Sequence, residues 1–238
     1  MKIAVIGNGN IGSRLAKIWA QHEHDVTIGV RSEAKIAEAE KGYEGAQAAL
    51  VKDAVAVAEV VLLAVPWPAV ADVLKETGSA EGRLDGKIVI DAINPVKLDL
   101  SGLESVEGGS VAVFVQKQAP IARVVKAFNT LGAMYLGNGS VKGITADGLL
   151  CGDDQAAIDA VSTLVEQAGL NPVDVGPLHN AYSLEALALL WIDLAVIQKR
   201  SGRFAFQLLT DADPAAEKYS RRGKDGDQGP GAGYGTAG

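Results

Sequence analysis

The chain has 238 residues, 22 Lys and Arg against 29 Asp and Glu, a formal net charge of −7, and a hydrophobic share of 48%. That composition suits one large globular domain with a small extension, and a pI near 5.0 excludes the basic footprint of a general nucleic-acid or acidic-membrane binder. The single cysteine, Cys151, excludes an intramolecular disulfide.

The stretch "MKIAVIGNGN" enters a strand directly, with no long apolar leader or cleavage pattern. No apolar run approaches the roughly 20 residues that cross a bilayer. Together these features predict a cytoplasmic chain that keeps off membranes.

In chain order, "KIAVIG" reads as a buried strand closed by glycine. Ile11, Leu15, Ile18 and Trp19 then fall at helical spacing over 10–22. "DVTIGV" is a second strand, and "SEAKIAEAEK" a helix with Ser32 placed to cap it. "EVVLLAVP" is a buried strand, followed by a helix over 68–77 and the strand "KIVIDAI". "RVVKAFNT" and "GLLCGD" continue the alternation, with a helix over 154–168 and a last strand in "NPVDVG". This order predicts an α/β Rossmann-type doubly wound fold, a parallel sheet covered on both faces. The apolar stretch 181–209 predicts one long helix with a break at Gly202, covering the domain or a partner subunit. The expected division is a nucleotide-binding domain over 1–178, a helical cap or dimerisation segment over 179–212, and a Gly-rich flexible tail over 213–238.

"GNGNIG", Gly7 to Gly12, closes the first strand and opens the first helix, which is the context a dinucleotide fingerprint requires. Gly7 permits the tight turn, Gly9 lets backbone approach a pyrophosphate, and Gly12 lets helix and strand pack closely. An NAD-binding chain carries an acid some 20 residues later, at the tip of the second strand. Here that tip reads Gly29-Val30-Arg31-Ser32; Asp25 lies at the wrong end, and Glu33 already belongs to the next helix. Arg31 and Lys35, with the hydroxyl of Ser32, fit a 2′-phosphate instead, so the expected cofactor is NADP(H).

Three further loops fall on the same strand edge. "AVPWPAV" puts Trp67 beside the crevice as a packing residue or a cofactor contact, "DAINP" adds Asn94 and Pro95, and "KAFNTLGA" adds Asn129 and Thr130. The histidines are His22, His24 and His179, all read as surface residues, and Cys151 reads as a small strand residue. No metal-ligand spacing, nucleophile elbow or Lys/Asp catalytic pair is evident, so no catalytic residue is assigned. Reduction of a carbonyl requires a proton donor, whereas hydride exchange between two redox rings requires little beyond orientation.

The motifs "IGNGNIGSRLA", "IGVRSEAK", "AVPWPAV", "KAFNTLGA", "LLCGDDQAAIDAV" and "VGPLHNAYSLEAL", taken in order, resemble the coenzyme F420-dependent NADP oxidoreductase family. A weaker resemblance reaches the cytosolic domain of the STEAP metalloreductases, although this chain shows no transmembrane haem domain. The resemblance implies a homodimeric Rossmann enzyme that exchanges hydride between NADP(H) and a deazaflavin. It further implies that Asn8, Gly9, Asn10 and Ile11 hold the pyrophosphate and Arg31, Ser32 and Lys35 the 2′-phosphate. Trp67 and Ala133 would line the crevice, with Asn94, Pro95, Asn129 and Thr130 at the nicotinamide and deazaflavin end. Two other readings stand beside this one. One is an NADPH reductase of a small imine or carbonyl, with His179, Tyr182 or Thr130 as proton donor; the other is a non-catalytic NADPH-binding redox sensor.

Overall fold

Short runs of Val, Ile and Leu, apolar on both faces, make the strands, and a computed structural model describes residues 1–42, 45–200 and 202–209. The tail expected over 213–238 lies outside the described residues. The strands are β1 (Lys2–Ile6), β2 (Asp25–Val30), β3 (Gln47–Leu50), β4 (Val60–Leu63), β5 (Ile88–Asp91), β6 (Arg123–Lys126), β7 (Ser140–Val141), β8 (Ile144–Thr145), β9 (Asp147–Gly152) and β10 (Asn171–Asp174). The helices between them are α1 (Asn10–Gln21), α2 (Ile36–Gly42), α3 (Val51–Val57), α4 (Val70–Thr77), α5 (Val111–Gln118), α6 (Gln155–Gln167) and α7 (Ala181–Ile192). β7 and β8 form a separate small hairpin, and the main sheet runs β10-β9-β6-β5-β4-β1-β2-β3.

Alternate residues of β1, β4, β5 and β6 feed two cores. Ile3 and Val5 of β1 pack with Leu15 and Trp19 of α1 and Val161 and Leu164 of α6 on one face. Ala4 and Ile6 pack with Val55, Val73, Val115 and Leu184, from α3, α4, α5 and α7, on the other. Both faces are therefore closed, as a parallel sheet demands. Met1–Gln207 form one compact unit; of the other unit, Leu208–Gly238, only Leu208 and Leu209 are described, and both are exposed.

Four features differ from the sequence reading. The sheet is mostly parallel, but β6 and β9 pair antiparallel, which turns β9 and β10 over relative to the rest. The reason is the connection: residues 127–146 fold back at the sheet edge and hold no α-helix to cross over it. β3, α3 and α5 are short elements that the apolar pattern did not mark off. Ser32 occupies the cap position of a 3₁₀ turn, Glu33–Lys35, that precedes α2, yet its side chain makes no capping bond.

Fourth, the helix expected over 181–209 is much shorter. α7 passes into a π-helical turn over Asp193–Ile197, Lys199 and Gly202 then take positive φ (55° and 62°), and residues 203–209 are irregular. These turns return the chain so that Phe204 stacks on Trp191 at 5.3 Å, and the Trp191 indole donates to the Phe204 carbonyl at 3.0 Å. The joined run Leu178–Ile197 has 20 residues at mean hydropathy 1.4, so by length and composition it does reach what a bilayer crossing needs, contrary to expectation. One face of it packs on α5 through Leu184 and carries the buried Glu185, while Tyr182, Leu190, Val196 and Ile197 are exposed.

The glycine turn sets the tightest constraint. A Cβ on Gly12 would overlap the carbonyl oxygen of Gly7, whereas one on Gly9 would meet nothing within 4 Å. Gly12→Ala should therefore lower the unfolding free energy by about 1–3 kcal/mol, the cost of overpacking, in urea denaturation. Gly9→Ala should unfold like the wild type.

Candidate functional site

The turn after β1 leaves an anion cradle at the start of α1. Gly7 sits at φ 110°, and its missing Cβ makes room for the backbone carbonyl of Ala64 after β4. Gly9 occupies the cap position of α1 and, lacking a side chain, gives no capping bond. The first amides of α1, from Asn10, Ile11 and Gly12, thus begin a helix whose N-terminal donors favour negative charge. The open space beside Gly9 is what a phosphate would fill. Asn8, Gly9 and Asn10 are exposed at this opening and Ile11 is half-buried.

A cleft of about 510 Å³ runs from this turn to the end of β2, lined by Gly7, Asn8, Gly9, Val30, Arg31 and Lys35 among others. Four of the residues expected at the pyrophosphate and 2′-phosphate, Asn8, Gly9, Arg31 and Lys35, line it together with Val30, while Asn10 and Ile11 do not. Ser32 is exposed next to Arg31 but does not line the cleft. The opposite wall is one face of α4 and its cap residue: Ala69, Val73 and Glu76, at helical spacing. Glu76 approaches Arg31 at 3.4 Å, from Oε1 to Nε, and its other oxygen is closed off without a hydrogen-bond partner. Lys52, at the start of α3, lines an adjoining recess of about 210 Å³ with Leu50, Val51, Arg31 and Glu76. Neither Glu76 nor Lys52 belongs to a motif; the i, i+4, i+7 face of α4 was the only available signal.

The other expected residues follow along the same edge. The neighbouring ends of β6, β5, β4, β1 and β2 present, in that order, Asn129 and Thr130, Asn94 and Pro95, Trp67, the glycine turn, and Arg31. Trp67 is half-buried and meets the Phe114 ring edge-on at 5.5 Å, so it packs at the rim outside the 510 Å³ cleft. Asn94 and Asn129 are joined: Asn94 Nδ2 donates to the Asn129 carbonyl and Asn129 Nδ2 donates to Asn94 Oδ1, each at 2.9 Å. Asn129 Oδ1 is buried with no partner, an acceptor in search of a donor. Phe128, at φ 62°, turns the chain so that Asn129 and the buried Thr130 follow β6 at this edge. Pro95 is buried and Ala133 half-buried in a 3₁₀ turn.

Behind the rim lies a Lys/Asp pair that the sequence reading missed. Lys126, at the end of β6, is fully buried; its ammonium donates to Asp91 Oδ2 at 2.9 Å, to Glu185 Oε1 at 2.7 Å and to the Ile93 carbonyl. Asp91 Oδ1 accepts from the Ile93 amide, and Glu185 Oε1 accepts from the Val111 amide at the start of α5, each at 2.9 Å. Burial pushes both carboxyls above the usual carboxylate range, against the lowering effect of Lys126. Asp91 has both oxygens engaged as acceptors, which fits an ionised partner for Lys126. Trp191 packs on Gly132 in the following loop, so α7 touches the rim loop from two places.

The histidines lie elsewhere. His24 joins Gln167 at 2.8 Å and the N-terminal amine at 3.1 Å beyond the end of α1, and His22 is exposed beside it. His179 follows β10, whose reversed direction carries it to the far edge of the sheet; it is exposed in a groove with Gln116, Lys117 and Asp153. Cys151 is fully buried, and burial pushes its thiol up to about 12, which removes it as a nucleophile. Among the described residues no cluster of His, Cys, Asp and Glu could hold a metal.

Breaking the buried cluster should show in stability. Lys126→Met should cost about 3–5 kcal/mol, the penalty for stranding a buried charge, in urea unfolding. Because the Glu185 pKa is raised in the folded state, its contribution is present below the ordinary carboxylate pKa and is lost as pH rises through the raised value. Against Glu185→Gln, the wild-type Tm should therefore drop more steeply as pH rises above the ordinary carboxylate range.

Residues 2–95 match the family described as NADP oxidoreductase, coenzyme F420-dependent. The chain is 31% identical to a crystal structure assigned as an F420-dependent NADP-reductase from Arthrobacter sp. FB24, covering 88% of this chain and 100% of that one at a TM-score of 0.78. It is 29% identical over 188 residues to the metalloreductase STEAP3 of Rattus norvegicus, a match that takes in 79% of this chain but spans only 36% of that protein. An imine reductase from Myxococcus stipitatus in complex with NADP+ shares the fold at 18% identity and a TM-score of 0.61, over 84% of this chain and 63% of that one. On the coverage of both chains by the first of these structures, the chain belongs to the coenzyme F420-dependent NADP oxidoreductase family and is an NADP-dependent oxidoreductase.

Proposed function

We propose that the enzyme exchanges hydride between NADP(H) and coenzyme F420 or a flavin-like acceptor. The observation that carries this reading is the order of groups along the sheet edge: a phosphate cradle in the centre, cations at one end and the Asn94–Asn129 pair at the other. In this reading the amides at the start of α1 hold the pyrophosphate, and Arg31 with Lys35 holds the 2′-phosphate. The Asn94–Asn129 pair shapes the nicotinamide end of the edge. When bound, NADPH supplies the hydride, and the acceptor ring takes it up with one proton from solvent.

The rim residues named above are amides, a hydroxyl, an indole and a proline, which orient rings and exclude water without titrating near neutrality. That set suits ring-to-ring transfer better than reduction of a small imine or carbonyl, because His179 sits at the far edge and Tyr182 begins the helix that starts there. Residues 1–178 would hold the nucleotide. α7 and the π-helical turn after it, with exposed Leu190 and half-buried Leu187, Trp191 and Leu194, would form the seam of a homodimer. The acidic chain and its sealed thiol fit the cytoplasm.

Mixing the enzyme anaerobically with NADPH and oxidised F420 should bleach the deazaflavin absorbance over many turnovers. Intact NADPH binding with no turnover would remove the deazaflavin and leave a different acceptor or the sensor. Arg31→Ala should weaken NADPH by about 1.5–3 kcal/mol, the range for charge-assisted hydrogen bonds, and leave NADH little changed. Leu190→Glu should convert a dimer to a monomer by light scattering; a wild-type monomer at micromolar concentration would remove the seam.

A further inference from the structure

The Arg31–Glu76 pair places opposite charges at one spot, the end of the cleft where a 2′-phosphate would sit. Glu76 lies in the last turn of α4, on the face that lines the cleft through Ala69 and Val73. Its Oε1 reaches Arg31 Nε at 3.4 Å, while its Oε2 is closed to solvent and bonded to nothing. The recorded approach is to Nε, and the Arg31 side chain stays about half exposed where it lines the cleft. A carboxylate beside the phosphate subsite would oppose a phosphate, and it is also the group that NAD-binding chains offer to an unphosphorylated ribose.

We propose that Glu76 is a specificity-determining residue that supplies, from α4, the ribose-binding acid missing from the tip of β2, and so admits NADH to the same cleft. The inference rests on the reading that this cleft takes the adenosine end of NADP(H). With NADPH, the 2′-phosphate engages the terminal nitrogens of Arg31 and Glu76 works against it through charge repulsion. With NADH, the partly exposed Glu76 side chain turns its unpartnered oxygen into the cleft, where it accepts the 2′-hydroxyl. The pair then sets the ratio of the two affinities, with Arg31 favouring one cofactor and Glu76 the other. Lys35 and Lys52 add to the phosphate side.

The test is direct binding of NADPH and of NADH to the full-length protein by calorimetry, for the wild type, Glu76→Gln and Glu76→Ala, with Tm recorded for each. The wild type should bind both. Both variants should weaken NADH by about 10- to 150-fold, the worth of one hydrogen bond to a charged group. They should strengthen NADPH by about 3- to 10-fold, as expected for removing a like charge near the surface. Unchanged affinities would overturn the proposal. So would a loss confined to NADPH, which would make Glu76 a mere support for Arg31, or equal losses for both cofactors. A wild type that binds NADPH but not NADH would sink the inference alone, whereas one that binds neither would sink the reading of the cleft as well.

Discussion

The ammonium of Lys126 is the point on which the site side of the molecule depends. A lysine at the end of a central strand, fully closed from water, is tolerable only with its charge matched and its donors used. Asp91, Glu185 and the Ile93 carbonyl meet that demand, and each brings a different segment with it. Asp91 fixes the start of the loop that carries Asn94, Ile93 fixes its next turn, and Glu185 ties α7 to the same centre. Through the Val111 amide, Glu185 also anchors the first turn of α5. Three residues beyond Lys126 stands Asn129, so the amide pair at the rim is held from both of its strands.

Around that centre the remaining geometry follows from the glycine turn. Close approach of Gly7 to Ala64 and of Gly12 to Gly7 brings β1, β4 and α1 together tightly and leaves open space beside Gly9 at the cradle. The cations between β2 and α2, Arg31 and Lys35, lie on one side and the amides after β5 and β6 on the other. A ligand that is anionic at one end and planar at the other is therefore matched along its length by one sheet edge, without long excursions of the chain.

The fold was legible where the information is local. Strand β2, helix α1 and the glycine turn are each written in a few consecutive residues, and the missing acid at the tip of β2 could be read off Val30, Arg31 and Ser32 directly. What escaped depends on distant partners. Lys126 and Glu185 are separated by 59 positions, and a Glu in an apolar helix gives no sign of which face it occupies. Glu76 resembles any solvated acid on an amphipathic helix until the α4 face is seen against β2. The reversal of β9 was hidden because strand direction depends on how residues 127–146 return, which composition does not encode. The shortening of α7 arose from a single aromatic stack, Trp191 on Phe204, winning over helical propensity in an apolar run.

Cys151 lies in β9 in register with Lys126, shut away from water, with its thiol pushed up to about 12. Being the chain's only sulfhydryl, it leaves the surface chemically silent toward thiol reagents at neutral pH. A cysteine introduced at an exposed position such as Ser183 would then carry the sole label on each chain. In a twofold assembly that gives one spin or fluorophore distance, a ruler set across the α7 surface with no background to subtract.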